Sequence, residues 1–135
     1  LATKERTSMA RTVIPVSDVS SNSAYSHLVA AGNLLITAGQ VALDADGNIV
    51  GKDDPAAQST QAFENLRRVL AAGGATFDDV VKLTIYVTSK ECRKAVADVR
   101  QSLFAEPRPA STYLIVAGLA VPDLLVEVEA IAYRE

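Results

Sequence analysis

Hydrophobic positions recur along this chain with two periods, and the switches between them divide it into strands and helices. The clearest two-residue alternation lies near the C-terminal end. Over 124–132, Leu124, Val126, Val128, Ala130 and Ala132 share one face, while Leu125, Glu127, Glu129 and Ile131 share the other. A second alternating segment, 78–88, sets Val81, Leu83, Ile85 and Val87 against Lys82, Thr84, Tyr86 and Thr88. Residues 34–41 are almost continuously apolar, as in a strand covered on both faces. Paired with 25–31 across a Gly32-Asn33 turn, they read as a β-hairpin. Residues 13–16 read as a short strand or an extended arm, 17–23 as a polar loop, and 112–117 as a further strand. Pro107 and Pro109 end whatever precedes that last strand.

Between these strands the period lengthens to that of a helix. Ala62, Phe63, Leu66, Val69 and Leu70 recur at three- and four-residue spacing. Asp53 and Asp54 offer a cap, Pro55 a first helical position and Gly73-Gly74 a stop, while Arg67 and Arg68 fall off the stripe on a solvated face. Cys92, Val96, Val99 and Leu103 mark a second helix, with Ser89 as its expected cap. The order is β-β-α-β-α-β-β, an α+β domain with two helices packed on one face of a mixed sheet. Two helices leave the other face open. That face carries Lys82, Thr84, Tyr86, Glu127 and Glu129 among Leu125 and Ile131, and a second subunit is the economical partner for it.

Composition narrows the function. The chain has 135 residues, 49% of them apolar but only 5% aromatic, so aliphatic side chains must fill the core of one domain. We read residues 1–12 as a flexible N-terminal extension, with Met9-Ala10-Arg11 resembling a start, and 13–135 as a single domain. The extension has no apolar segment of the secretory kind. Net charge is −3 with no Lys/Arg cluster, which weighs against nucleic acid as a partner. No apolar run suits a membrane helix. One Cys and one His argue against a disulfide framework and a zinc site, so we expect a cytoplasmic, reducing setting. The Asp44-Ala45-Asp46-Gly47 fragment hints at a calcium loop, but Pro55 stands where its closing Glu belongs.

Glu127 and Glu129 pose the sharpest chemical question. Two carboxylates on a half-buried strand need a partner, a ligand or water. Glu127 can orient or deprotonate water, or be a structural acid paired across an interface, and Glu129 reads as structural. His27 reads as a structural histidine and Cys92 as a core residue.

Several segments in order resemble one family: Ala31-Gly32-Asn33-Leu34-Leu35-Ile36-Thr37-Ala38-Gly39-Gln40, then Gln61-Ala62-Phe63-Glu64-Asn65-Leu66, then Arg108-Pro109-Ala110-Ser111, then Val126-Glu127-Val128-Glu129-Ala130-Ile131-Ala132. On these the chain resembles the RidA (YjgF) family of reactive intermediate deaminases, also named for endoribonuclease L-PSP. The resemblance implies a chorismate-mutase-like fold and a homotrimer with small-molecule clefts at its subunit interfaces. It implies hydrolysis of imines or enamines, such as 2-aminoacrylate, to 2-oxo acids and ammonia, without metal or cofactor. Glu127 matches the Glu that holds the attacking water, and Tyr25, Ala38 and Gly39 match cleft positions. Ser111 stands where the family's carboxylate-binding Arg belongs, and Tyr113 where a Cys is common. An atypical substrate range is therefore implied, unless Arg100 or Arg108 substitutes for that Arg. The alternatives are a small-molecule binding or sensing trimer, and a ribonuclease or translation inhibitor, which the acidic balance disfavours.

Overall fold

The computed structural model describes residues 11–135; the expected extension lies outside the described residues as far as position 10. Among the described residues seven strands form one sheet: β1 (Thr12–Val13), β2 (Leu28–Ala31), β3 (Leu34–Thr37), β4 (Gln40–Val41), β5 (Val80–Val87), β6 (Ala110–Ile115) and β7 (Val126–Tyr133). Helix α1 (Pro55–Ala72) falls between β4 and β5, and α2 (Arg93–Leu103) between β5 and β6. Strand order is β1-β2-β3-β7-β5-β6, with β4 also paired to β7. Only β5 and β6 run parallel, joined by the α2 crossover, so the sheet is mixed as expected.

Several sequence expectations shift in detail; the strand expected over 112–117, for one, runs from Ala110 to Ile115. The strand expected over 25–31 begins only at Leu28. The segment 34–41 is two strands along one edge of β7, not one covered on both faces. Leu35 and Thr37 are buried, while Leu34 and Ile36 are 39% and 44% exposed. Its apolar run reflects an uncovered face, not a second layer of this chain. Val81 does not join the core row of β5. A bulge sets Val80 and Lys82 against the adjacent pair Ala132 and Ile131, turning Val80 inward and leaving Val81 48% exposed.

Helix α1 starts as its sequence promises: Asp54 Oδ1 accepts from Ala57 N at 3.1 Å and Pro55 takes the first position. Gly73 caps its end and Gly74 follows at φ +78°, a conformation that favours glycine. The expected Ser89 cap is not made. Ser89 opens a 3₁₀ turn, Lys90–Cys92, and its Oγ lies 3.8 Å from Cys92 Sγ.

Both helices pack on the same face of the sheet. Leu28, Leu35, Leu83, Ile85, Val126 and Val128 meet Phe63, Leu66, Leu70 and Val96 there, all essentially inaccessible. Truncating Phe63 to Ala would cost about 3–5 kcal/mol, from lost transfer energy and the cavity left behind. Gln58 anchors α1 to the start of β7: its Nε2 donates to Asp123 O at 2.9 Å and its Oε1 accepts from Leu125 N at 2.8 Å. Core and anchor together hold β7 centrally, with its acidic face turned away from the helices.

Candidate functional site

The site is built where β3 gives way to β4. Ile36 pairs with Ile131 and Gln40 with Val128, so four steps on one strand span three on the other. The extra residue lifts Ala38 and Gly39 out of the ladder. Thr37 partly closes the gap, its Oγ1 accepting from Ala130 N at 3.0 Å. Ala38 N donates to His27 O at 2.9 Å, which ties the lifted segment to the end of the 17–27 loop.

Glu127 points into this irregularity. A Cβ on Gly39 would overlap Glu127 Oε2 and stand 2.7 Å from its Cδ, so only glycine admits the carboxylate in this position. Around it lies a cleft of about 430 Å³, lined among others by Tyr25, Ala38, Gly39, Val41 and Leu124. Among the described residues no Lys, Arg or His lines it. Glu127 has no side-chain hydrogen bond or ion pair among the described residues. Burial first, and the neighbouring Glu129 carboxylate second, push its pKa up from the ordinary carboxylate range.

Glu129 has a different setting, although it shares the face. Antiparallel pairing places Thr84 opposite Glu129 and Tyr86 opposite Glu127. The Tyr86 hydroxyl donates to Glu129 Oε1. That hydrogen bond first, then burial and the two carboxylates, raises the Tyr86 pKa to about 12. One acid is thus tied by a phenol and the other is left free, a division of roles that pattern alone did not decide.

Tyr25 is held by a chain of contacts that sequence reasoning missed. Its ring meets His27 edge-on at 5.6 Å. His27 Nε2 lies 2.7 Å from Ser20 O, and Gln40 Nε2 lies 3.1 Å from His27 Nδ1 and 3.3 Å from Ala38 O. A carbonyl at Nε2 and an amide donor at Nδ1 suit a ring that donates from Nε2 and accepts at Nδ1. The adjacency of Gln40 to Ala38-Gly39 was the available signal. His27 lies thirteen residues away, and only the folded loop brings it in.

Ser111 and Tyr113 are not in this cleft. The β5–β6 register pairs Ser111 with Leu83 and Tyr113 with Ile85, both core residues, so their side chains face α2. Tyr25, Ala38, Gly39 and Glu127 come together; Ser111 and Tyr113 lie on the opposite face of the same sheet. Arg100 and Arg108 lie with Ser111, and neither lines the Glu127 cleft of its own chain. Among the described residues no cluster of His, Cys, Asp or Glu could hold a metal, and no helix is long and apolar enough to cross a membrane.

A mixed sheet with two helices on one face and a carboxylate cleft on the other defines a protein of the chorismate-mutase-like fold. Comparison with known proteins gives the family. The family model described as endoribonuclease L-PSP matches residues 16–134. A RutC family protein of Pyrococcus horikoshii is 36% identical over 111 residues, covering 82% of this chain and 87% of that one. A Rid family protein of unknown function from Yersinia pestis superposes with TM-score 0.86 at 30% identity, over 93% of this chain and 100% of that one. The YjgF gene product of Escherichia coli gives TM-score 0.81 at 29% identity, over 93% and 100%. The chain belongs to the RidA (YjgF) family.

Proposed function

We propose that this protein hydrolyses imines or enamines of an atypical substrate range, as a cytoplasmic homotrimer whose clefts are completed at subunit interfaces. The observation that carries the reading is Glu127: a half-buried carboxylate without a partner, raised in pKa, at the wall of a cleft that holds no cation. Such a group holds water and takes its proton more readily than a solvated carboxylate does. Water adds to the protonated imine: its oxygen bonds to the imine carbon as the C=N π pair moves to nitrogen, and Glu127 takes one water proton. Glu127 returns that proton to nitrogen, and the remaining hydroxyl proton passes to Glu127 as the C=O bond forms and the C–N pair leaves with ammonia. In the same cleft the carboxylate stabilises a protonated, cationic iminium electrostatically.

The substrate range is atypical because Ser111 offers a hydroxyl where the family resemblance implies a guanidinium. A charge-assisted hydrogen bond contributes ~1.5–3 kcal/mol, and a neutral hydroxyl falls short of that. The same substitution favours the second reading, a trimer that binds or senses a small molecule without turning it over.

The test is hydrolysis of imines generated in situ from amino acids and amines by oxidases, read as loss of semicarbazide-trapped imine. Acceleration should fall about 10²–10⁴-fold in Glu127→Ala. Full activity in that variant would sink the hydrolase reading.

A further inference from the structure

The lifted segment Ala38-Gly39 has no ladder partner, yet Glu127 rests against it. The chain on either side is fixed. Thr37 Oγ1 holds the end of β3 to Ala130 N. Past the bulge, Asn65 on α1 donates from Nδ2 to Val41 O and to Leu43 O, at 2.8 Å each. Ala38 lies between these anchors, and one pair of residues takes both of its main-chain groups. Its N donates to His27 O at 2.9 Å, and its O accepts from Gln40 Nε2 at 3.3 Å.

His27 and Gln40 are joined to each other. Gln40 is 3% exposed, and its Nε2 also lies 3.1 Å from His27 Nδ1. The other ring nitrogen lies 2.7 Å from Ser20 O. That loop is docked on α1 by buried Val19 and by Arg68 Nη1, which donates to Asp18 O at 3.2 Å. His27 therefore bridges a docked loop to the strand that carries the bulge, and both its main chain and its ring serve that end. Behind the bulge is a cavity of about 60 Å³, lined among others by Ser20, His27, Gly39, Gln40 and Asn65. It has room for about two waters, and so room for a slackened segment to fall back into.

We propose that His27, acting through Gln40, is a positioning residue for Glu127: it holds Ala38-Gly39 in the lifted conformation that keeps the carboxylate half-buried at the cleft wall. The effect on catalysis rests on the hydrolase reading above; the coupling of His27 to Glu127 does not. The imidazole passes no proton to substrate, since both of its nitrogens are engaged and it does not line the Glu127 cleft.

The test is His27→Phe, which keeps a ring against Tyr25 and removes both nitrogen contacts. Glu127 is read directly by carbon-13 titration of its carboxyl, assigned with Glu127→Gln. A slackened bulge admits water to the carboxylate, so its midpoint should move down toward the ordinary carboxylate range. We expect kcat to fall about tenfold or more and KM to change less than about threefold, because the reacting group has shifted while the ring beside Tyr25 remains. Gln40→Met cuts the same chain at its other end and should act alike; it carries the test if thermal denaturation shows His27→Phe unfolded. The double variant should be no worse than Gln40→Met alone, as for residues that act in series. A folded variant in which Glu127 titrates as in wild type overturns the proposal, and so does a loss confined to KM or a double variant whose losses simply add. A shifted midpoint in a protein that hydrolyses no imine upholds the positioning and removes the hydrolase reading.

Discussion

The carboxylate of Glu127 rests where a side chain on Gly39 would have to stand. Gly39 is not held there by its backbone, since it is absent from the glycines with positive φ. Close approach is the reason: the bulge between β3 and β4 brings main chain against a carboxylate on β7, and only a hydrogen atom fits between them.

Gly39→Ala therefore separates stability from function. The clashing atoms belong to the flexible end of Glu127, which can swing aside, so unfolding free energy should change by less than about 1 kcal/mol. Moving the carboxylate by an ångström should lower kcat/KM about 10²-fold. Chemical denaturation and imine hydrolysis on one preparation check both halves, and an unchanged rate would mean that the position of Glu127 is unimportant.

Protonation of Glu127 couples to stability with a definite sign. Its pKa is raised on folding, so between the ordinary carboxylate range and its folded pKa the native state binds more protons than the unfolded one. Stability is then lost as pH rises through that window. Glu127→Gln should raise the melting temperature at neutral pH, and the gain should vanish in acid below the ordinary range. If Glu127 acts as base, kcat/KM should rise with pH to a midpoint above that range. A variant no more stable than wild type at neutral pH would contradict the burial of an unpaired charge.

Tyr86 should titrate late. Ultraviolet titration of the four tyrosines should contain a step near pH 12 that disappears in Tyr86→Phe. Its stabilising effect is fully present below pH 10 and is lost between there and about 12, because the folded state keeps a proton that the unfolded state has released. Removing the hydroxyl should cost about 0.5–1.5 kcal/mol at neutral pH, discounted for partial exposure.

The open sheet face gives a test of assembly. Ile36 is 44% exposed beside Ile131, on the face that carries Glu127 and Glu129. If the proposed trimer buries this face, Ile36→Glu should reduce the mass seen by light scattering from that of a trimer to that of a monomer, since an unpaired charge is not tolerated in an apolar interface. A trimer that persists in this variant would move the interface elsewhere.

Periodicity alone was enough for the layers of this fold. The alternation over 124–132 places Val126, Val128 and Ala130 inside and Glu127 and Glu129 outside, as observed, and the stripe from Ala62 to Leu70 is the buried face of α1. These patterns are legible because a side chain's face follows from its count along a regular element. Bulges break that count, which is why Val81 was misplaced and why the division of 34–41 at Ala38-Gly39 was not foreseen. Register is a contest between whole strands, decided by packing on both sides of β7 and not by any one residue. Long-range pairing likewise decided which acid Tyr86 ties down, which ring supports Tyr25, and that Ser111 and Glu127, both matched to site positions by the resemblance, face away from each other across the sheet. Tertiary structure alone could separate them, because the face a residue occupies is a property of the sheet it joins.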